Sequence, residues 1–531
     1  MASEFLRSRQ QGTSQQASGP NPASRWVNVP GENTTNSQSA RKLFEEIASH
    51  HELFYRGGAV VELVNEGNAH SIAILKPTAA QSRFERYVTF KKKGKSGDVN
   101  TPINRALAEM YLNSSECREL LPKLNGIIRF PLVVETGSNL RLLEKGYDAE
   151  TGFFVDNFKA PITDMTLQQA VEFLTRLIEE FDFLTPGDHS RAIASLITPA
   201  LKLSGLIGGP VPADVAEANA SQSGKTYRQK MVAAIYNQRP AVVTKRDGGV
   251  GGLDETLFEH LVAGRVFIQF DNIRGKLNSQ TLESFLTAEG AFPARIPYHG
   301  AINIDPAKHF IFISSNGFEA TRDLTNRSSI IRIKKRENYH YRTHEGKDTL
   351  QMVFEWQEVW YGAVLKVIEH WHEQGKPRTD ETRHDFREWC QVLDWIVRNV
   401  FSAAPLMGDH EAAKERAASP HLTFLRQLAI AVNEAHQLHQ SMSATQLANL
   451  CVESEIEIPG LAPDSQHDVE AGKRQVGLVL GRIFGEASVK QVDEFTVTKT
   501  EETATTDAGN PQTLKRYSFA VVNPAPVATR A

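Results

Sequence analysis

A run of small and polar residues ending in a lysine and a threonine occupies residues 219–226, with the sequence Asn-Ala-Ser-Gln-Ser-Gly-Lys-Thr. Its second half matches the end of a phosphate-binding loop, whereas Asn219 stands where such a loop has its first glycine. In these loops, backbone N–H groups and the following helix N-terminus bind phosphate oxygens. The lysine contacts the β- and γ-phosphates, and the threonine hydroxyl binds Mg²⁺. The alternative is a chance Ser-Gly-Lys-Thr at a helix start. The candidate ATP-binding residues are Ser221, Gln222, Ser223, Gly224, Lys225 and Thr226, with Thr226 also a candidate Mg²⁺ ligand.

A second candidate motif ends at Asp271 and Asn272, after the apolar run Val-Phe-Ile-Gln-Phe. An acid at the tip of a buried strand can hold Mg²⁺ beside a bound nucleotide, so Asp271 is a candidate metal ligand and catalytic residue. The alternative is a core strand that ends in an Asp-Asn turn. Asn272 is a candidate catalytic residue because it directly follows Asp271, but its amide cannot act as a base. Another acid, such as Glu283 or Glu289, then serves as the base, or hydrolysis is slow.

A third apolar run, 309–316, ends in Asn316, and Arg327 follows eleven residues later. The Asn316 amide can orient a water molecule beside a γ-phosphate, although an Asn-Gly turn after a strand is also common. Arg327 can act as an arginine finger on a neighbouring subunit's nucleotide. Arg322 competes for that role, and a surface arginine at a helix end is the alternative for either residue.

The order of these motifs is more specific than any one of them, and it predicts an oligomeric P-loop ATPase of the extended AAA+ type. The loop requires a preceding strand and a following helix. Residues 211–218 give only a weak strand signal, whereas the segment after Lys225 predicts a helix that includes Ala233, Ala234 and Ile235. Residues 166–205 show helical periodicity ahead of the loop.

Composition places the chain among ordinary globular proteins. Of its 531 residues, 40% are hydrophobic and 23% are charged, and the net charge is −4, so any nucleic-acid contact must come from local basic patches. Cys117, Cys390 and Cys451 are far apart, which predicts neither a zinc site nor a disulfide framework and is typical of a reducing compartment. No apolar run has transmembrane length and the N-terminus lacks a signal-peptide core, so we expect a cytoplasmic protein without a membrane partner.

The chain resembles the helicase-like ATPases of phages and integrated mobile elements, near the superfamily 3 and phage primase-helicase group. The resemblance covers about residues 50–520 and implies the motor part without a primase domain, since no metal-binding acidic pattern of a primase is present. Asp-Asn in the second motif and a missing first glycine look normal for this group. The residues that carry it are Tyr55-Arg56-Gly57-Gly58, Leu121-Pro122 with Gly126, Gly146-Tyr147-Asp148 with Thr151-Gly152, Asn219 to Thr226, Phe270-Asp271-Asn272-Ile273, Leu282 to Thr287, Arg295, Ser315-Asn316-Gly317 and Asp323 to Arg327.

The implied fold class is α/β, an AAA+-like P-loop ATPase core with an N-terminal α/β accessory domain, a helical lid and a C-terminal winged helix. We expect a disordered arm at 1–40, the accessory domain at 41–160, the ATPase domain at 161–337, the lid at 338–420, the winged helix at 421–522 and a disordered tail at 523–531. A stripe of Trp and Val in the lid predicts core packing. The lysine run at 91–95 can touch nucleic acid, although a solvated loop is the simpler interpretation.

In motors of the resembled group, the segment between the second and third motifs forms a hairpin in a central pore. Here that segment is 292–308, and its basic residues Arg295, His299 and Lys308 are candidate contacts to a single-stranded phosphate backbone. An ordinary surface hairpin is the alternative. A further basic run, Arg332 to Arg336, predicts a strand edge with exposed charges.

The C-terminal part predicts helices at 422–438, 443–452 and 470–484, then strands at 489–497 and 515–521. This order is typical of a winged helix, whose third helix enters the major groove of duplex DNA with Lys473, Arg474 and Arg482 facing phosphates. Winged helices also serve as protein-binding modules.

Together these features predict an ATP-dependent DNA helicase or replication-initiation motor. We expect it to form a ring, a hexamer, to use ATP and Mg²⁺, to translocate on single-stranded DNA and to work with a primase or another replication partner. The alternatives are an ATP-gated assembly in anti-phage defence or regulation that does not unwind DNA, and a transcription regulator with an ATPase sensor.

Overall fold

Ten segments of the chain are described by the computed structural model: residues 25–67, 69–95, 97–218, 222–243, 252–273, 275–296, 300–336, 339–344, 346–505 and 511–522. The chain divides into two compact units, and the fold is mixed α/β. Unit 1 comprises residues 1–63 and 73–123, and unit 2 comprises residues 64–72 and 124–531. Within the described segments, no helix is both long and apolar enough to cross a membrane.

Unit 1 packs two groups of short strands against helices around one apolar core, which includes Leu43, Phe44, Phe84 and Phe90. The first elements of the chain, of which β3 and β4 continue into unit 2, are β1 Trp26–Asn28, α1 Asn36–Ala48, β2 Leu53–Arg56, β3 Ala59–Glu66, β4 Ala69–Ile74, α2 Pro77–Glu85, β5 Thr89–Gly94, β6 Gly97–Asn100, α3 Arg105–Leu112 and α4 Ser115–Leu120.

The predicted arm at 1–40 is wrong for its last part, since β1 and the first turn of α1 lie within it. Helix α1 begins there because Thr35 and Gln38 form a capping box, in which each side chain accepts from the other residue's backbone N–H. Val27 of β1 is fully buried in the core of unit 1, and the strand pairs with β5. Most of the arm, and the predicted tail at 523–531, lie outside the described residues.

The first part of unit 2 contains short hairpins and one helix: β7 Gly126–Ile128, β8 Val133–Thr136, β9 Asn139–Leu142, β10 Gly146–Asp148, β11 Phe153–Val155 and α5 Leu167–Ile178. Strands β10 and β11 pair antiparallel and form a hairpin. Residues 124–160 thus differ from the predicted accessory domain and belong to unit 2. Tyr361 ties them in, since its hydroxyl donates to the Pro131 carbonyl at 2.9 Å and its ring packs on Phe130.

A six-stranded sheet with its flanking helices follows. The elements are β12 Asp182–Phe183, α6 Pro186–Leu203, β13 Ala213–Ala218, α7 Lys225–Ile235, β14 Ala241–Val243, α8 Leu253–Val262, β15 Phe267–Ile273, β16 Lys276–Leu277, α9 Gln280–Thr287, β17 Phe292–Ile296, β18 Gly300–Ile304, β19 Phe310–Asn316, β20 Glu319–Ala320, α10 Arg322–Asn326 and β21 Ser328–Lys334. The strand order is β12-β21-β13-β19-β15-β14, with every pair parallel except β12 on β21.

The weak strand signal before the loop is a true strand, because β13 is buried along all six residues between β19 and β21. A strand buried on both faces loses the alternation that marks an exposed strand. The predicted exposed edge at Arg332 is wrong. Strand β21 has neighbours on both sides, and Arg332 is only 3% exposed because acidic side chains neutralise it.

A helical region and a small helix-and-strand region complete unit 2. The elements are β22 Thr343–His344, β23 Lys347–Asp348, α11 Thr349–Glu355, α12 Gln357–Glu373, α13 Arg387–Asn399, α14 His410–Ala418, α15 Pro420–Glu434, α16 Ala444–Glu453, α17 Val469–Phe484, β24 Val489–Val492, β25 Phe495–Thr505 and β26 Pro511–Val521. Trp360, Val364 and Ile368 are buried, as the helical stripe predicted. The predicted strand at 489–497 divides at Asp493, whose φ of 46° allows the tight turn from β24 to β25.

Candidate nucleotide site

Three neighbouring parallel strands bring the predicted motifs together. The loop follows β13, Asn316 ends β19, and Asp271 lies near the end of β15. Because β19 lies between β13 and β15, all three carboxyl ends meet at one edge of the sheet. Open α/β sheets bind ligands in the crevice at this edge. Of the predicted loop residues, Ser221 lies outside the described residues, as does Asn219.

Thr226 and Asp271 are in direct contact. The Thr226 hydroxyl donates to Asp271 Oδ1 at 2.9 Å, and the Ser314 hydroxyl donates to the same oxygen at 2.7 Å. Ser314 also accepts from the backbone N–H of Asn272 at 2.8 Å. A hydroxyl beside a carboxylate is a donor set suited to Mg²⁺. Ser314 was not predicted, because a serine inside an apolar strand gives no local sign of what it touches.

Lys225 lies at the start of α7 and its ammonium donates to Asn316 Oδ1 at 2.7 Å. Burial lowers the pKa of Lys225, while the charge of Asp271 raises it. The lysine of the loop and the amide after the third strand therefore converge on one point, as the motif order requires.

Gly224 has a φ of 86°, a backbone conformation that glycine adopts without strain. Two aromatic rings lie against it: a Cβ atom here would be 2.3 Å from the Tyr341 hydroxyl and 2.8 Å from Phe181 Cε1. The Tyr341 hydroxyl also donates to the Ser223 carbonyl at 3.1 Å. Ser223 Oγ is buried, and no described residue bonds to it, so the loop holds a polar atom that a phosphate oxygen would satisfy.

Helix α7 is fixed to the sheet by buried polar side chains. Gln229 donates to the carbonyls of Asp214 at 2.9 Å and Ile313 at 3.0 Å, which belong to β13 and β19. Gln269 of β15 donates to Gln229 Oε1 at 2.9 Å, and Arg228 pairs with the Asp214 carboxylate. One glutamine thus joins the helix that carries Lys225 and Thr226 to all three strands of the site.

Glu217 is fully buried on β13, two residues before the loop. Its Oε1 accepts from the Phe318 backbone N–H at 3.0 Å, just beyond Asn316. Arg416 of α14 pairs with its other oxygen and donates to the Phe318 carbonyl at 2.8 Å, and Arg426 of α15 lies 3.5 Å from Glu217 Oε1. Sequence reasoning missed this contact, because its partners are about 200 residues away.

The cluster continues to Asp493 in the β24–β25 turn. Asp493 lies 2.5 Å from Arg426 Nε, 3.4 Å from Arg416 Nε and 2.7 Å from Arg332 Nη1. Arg332 also pairs with the buried carboxylate of Asp188. Burial by itself raises the pKa of Asp493, but the charges of Arg416, Arg426 and Arg332 outweigh it and hold this pKa well below its usual range. Charged contacts therefore run from β13 to the C-terminal region.

Arg327 lies at the amino ends of the parallel strands, whereas the loop lies at their carboxyl ends. Its carbonyl accepts from the Ala213 N–H at the beginning of β13, and the loop starts after Ala218. Five residues of strand separate the two ends by roughly 17 Å. Arg327 is thus too far to act on its own subunit's nucleotide. Arg322, the competing candidate, is exposed at the start of α10.

The residues considered for water activation are dispersed. Asn272 is exposed and has a φ of 51° where β15 shifts register against β19. Glu283 accepts from the Thr321 hydroxyl at the start of α10. Glu289 lines a cavity of about 380 Å³ with Lys202 and Asp305, at the edge of the sheet opposite the loop.

The predicted hairpin exists as β17 and β18, which pair antiparallel from Phe292↔Ile304 to Ile296↔Gly300. Arg295 is exposed on its first strand, and His299 lies outside the described residues. Lys308 is not on the hairpin. It is half-buried below it, 3.9 Å from Asp305 and over the Phe153 ring, where burial lowers its pKa.

Lys473, Arg474 and Arg482 are exposed on α17, as predicted. Arg474 and Arg482 are eight residues apart and share a helix face with Leu478, which is 48% exposed. Lys473 points about 180° away from Arg482 and lies 3.8 Å from Glu470. The structure places two of the three on one surface.

No protein family model matches the chain, and no curated protein matches its sequence. Solved structures that align with it include the following three. The apo C-terminal region of NrS-1 has a TM-score of 0.35 at 11% identity, covering 91% of this chain and 100% of that one. The active helicase Cch of SCCmec type IV has a TM-score of 0.28 at 12% identity, with 83% and 81% covered. The JCV helicase with a bound thiazolopyridine compound has a TM-score of 0.21 at 11% identity, with 48% and 73% covered.

Proposed function

We propose that this protein is an ATP-hydrolysing DNA motor with an AAA+-type core. The observation that carries the proposal is the meeting of Lys225 with Asn316, and of Thr226 with Asp271, at the carboxyl ends of neighbouring strands. Motifs separated by about 90 residues converge there in the arrangement that binding and hydrolysis of a nucleoside triphosphate require.

Each of these side chains has one role in the proposal. The loop backbone from Gln222 to Gly224 and the N-terminus of α7 bind phosphate oxygens, and Lys225 neutralises the terminal phosphates. Thr226 and Asp271 would hold Mg²⁺, which supplies positive charge to the phosphate oxygens when bound. Asn316 orients the attacking water.

DNA translocation is proposed from the exposed basic residues on two projecting elements. Arg295 lies on the β17–β18 hairpin, where a ring would place it in the pore with His299. Arg474 and Arg482 on α17 are the candidate duplex contacts of a winged helix. Arg327 is proposed to act on a neighbouring subunit's nucleotide in a hexameric ring, because its position excludes action within one subunit. A primase is a proposed partner. Lys308 is not proposed to contact DNA, because it lies after the hairpin and is half-buried.

The test is ATP hydrolysis by the purified chain, with and without oligo(dT), and displacement of a labelled strand from a forked duplex. Lys225→Ala should abolish hydrolysis, whereas Lys230→Ala, an exposed lysine one turn along the same helix, should leave it unchanged. Hydrolysis that survives in Lys225→Ala contradicts the site.

Asn272 favours one rival, an ATP-gated assembly in defence or regulation that does not unwind DNA. Its amide stands where many such enzymes have a carboxylate base. Hydrolysis without stimulation by DNA, together with no strand displacement, would select this alternative. Sequence-specific duplex binding through α17 would instead favour a transcription regulator.

A further inference from the structure

One face of the β1-β5-β6 sheet in unit 1 combines an exposed aromatic ring with a lysine run. Trp26 is 45% exposed, and it is the one aromatic side chain among the strongly exposed large hydrophobic residues of the described segments. The Lys91 ammonium lies 5.1 Å from its ring centroid. A tryptophan ring exposed beside a cation offers a flat surface on which another ring can stack.

Strand alternation separates the two faces of this sheet. Val27 and Phe90 lie opposite each other and are buried in the core, so their sequence neighbours point outward. In the strand register, Trp26 of β1 lies beside Thr89 of β5. Lys91 and Lys93 of β5 lie beside Asn100 and Asp98 of β6. The outward face therefore consists of Trp26, Asn28, Thr89, Lys91, Lys93, Asp98 and Asn100. We call it the Trp26 face.

The hairpin of β5 and β6 extends beyond the core. All four residues of β6 are exposed, including Val99 at 55%, and Lys92, Lys93 and Lys95 are exposed on or beside β5. No ion pair joins these lysines to an acidic side chain in the described part of the chain. Unit 1 has 14 Lys and Arg against 10 Asp and Glu over residues 25–63 and 73–123, a net charge of +4 in a chain of net charge −4.

We propose that the Trp26 face binds single-stranded nucleic acid. A base stacks on the Trp26 indole in the place that the Lys91 ammonium occupies, and the lysines of the hairpin contact the phosphates. A flat sheet that presents an aromatic ring among cations gives this kind of binding without sequence preference. Duplex bases are already stacked and cannot use the ring. The inference goes beyond the ATPase proposal and does not depend on it, because the Trp26 face lies in unit 1, whereas the candidate nucleotide site lies in unit 2.

Binding is measured with the full chain, without ATP, on fluorescein-labelled dT20 and on U20, with a 20-base-pair duplex for comparison. Trp26→Ala should weaken binding to dT20 roughly tenfold, since one base–aromatic stack is lost. Trp26→Phe retains a stacking ring and should bind within threefold of wild type. The other five tryptophans are buried or half-buried, so dT20 should quench the exposed tryptophan emission in wild type but not in Trp26→Phe.

A triple Lys91→Gln, Lys93→Gln, Lys95→Gln variant should lower the slope of log affinity against log salt by about 2, because each single-strand phosphate contact contributes about 0.7. The matched control is Lys76→Gln with Arg105→Gln, two exposed cations of unit 1 outside the face. Arg295→Gln, measured in the same way, reports how much the proposed pore hairpin contributes to binding, because Arg295 lies outside the Trp26 face.

Affinities within twofold of wild type in both Trp26→Ala and the triple variant would overturn the proposal, as would equal losses on the duplex. Loss of binding in these variants with unchanged ATP hydrolysis would support it. Hydrolysis that survives in Lys225→Ala would contradict the ATPase site but would not change the binding results for the Trp26 face. The two proposals can therefore be refuted separately. Preference for U20 over dT20 would identify RNA as the ligand, and the reverse would identify DNA.

Discussion

Arg332, on the second strand of the six-stranded sheet, donates to Asp493 in the β24–β25 turn at 2.7 Å, although the two residues are 161 positions apart. Both side chains are almost fully buried. Asp493 also faces Arg416 and Arg426, which in turn pair with Glu217 beside the loop. The C-terminal region is thus joined to the candidate nucleotide site by charge, not only by apolar packing. Movement at either end must rearrange this cluster.

Asp493→Asn should destabilise the protein by about 3 kcal/mol, because the change leaves buried guanidinium groups without their counter-charge. The measurement is the urea midpoint of the transition reported by near-UV signals. Glu502→Gln, an exposed acid on β25, is the control and should stay within about 0.5 kcal/mol. A loss below 1 kcal/mol for Asp493→Asn would show that the cluster relaxes freely.

Stability should fall as pH decreases from 6.5 towards 4, because His384 is buried in the neutral form. Burial lowers its pKa to about 4, although the Ser328 carbonyl favours the charged form. Its Nδ1 accepts from the Phe386 N–H at 3.0 Å, which a protonated ring cannot do. The unfolded chain binds the proton near pH 6.5, so stability is fully present above that pH and is lost below it. His384 alone should remove about 2 kcal/mol between pH 7.5 and pH 5.

Urea titrations at pH 5, 6 and 7.5 measure this effect. His410 should add to it, since burial also lowers its pKa well below the usual value. His384→Gln should flatten the dependence even if it lowers stability at every pH. His467→Gln, an exposed histidine, should leave the slope unchanged. The same slope in His384→Gln and wild type would refute the assignment.

Ser314→Ala should lower ATP turnover and Mg²⁺ affinity about tenfold, because Ser314 orients the Asp271 carboxylate and the groups behind a metal ligand commonly have such effects. Ser315→Ala is the matched control. It removes a neighbouring buried hydroxyl that donates to the Ile273 carbonyl at 2.8 Å and should change turnover less than threefold. Turnover is measured against Mg²⁺ concentration, and equal effects of the two changes would argue for a general packing role.

Gly224→Ala should weaken nucleotide binding at least tenfold, because the new Cβ requires a strained φ and collides with Tyr341 and Phe181. Adding Tyr341→Ala removes one collision but not the backbone strain, so binding should recover only in part. Affinity for a fluorescent ATP analogue measures both. Full recovery would mean that the ring, not the backbone, limits the loop.

Arg327→Ala subunits and Lys225→Ala subunits should each be inactive alone and regain hydrolysis when mixed. In a mixed ring, a site with an intact Lys225 can receive Arg327 from its neighbour. Since Arg327 lies far from its own loop, recovery is expected only in trans. The same mixing with Arg322→Ala tests the competitor. No recovery with Arg327→Ala, but recovery with Arg322→Ala, would move the finger to Arg322.

Local patterns predicted the elements that carry the site. The strands that end near Asp271 and Asn316 and the helix after Lys225 are confirmed, because apolar runs and a loop before a helix are short-range signals. Cys117, Cys390 and Cys451 are free and buried. The prediction failed at Arg332, whose charged run has the composition of an exposed edge although the strand has neighbours on both sides.

The sequence by itself determined which residues can do chemistry, since the loop, Asp271 and Asn316 are recognisable from spacing and residue type alone. Only the tertiary structure decided what holds them. Ser314 behind Asp271, Tyr341 over Gly224, and the Glu217–Arg416–Asp493 cluster join segments from 43 to about 200 residues apart. Such contacts depend on which strands become neighbours in the sheet and which helices cover it. Strand order is a property of the whole chain, so no local pattern encodes it.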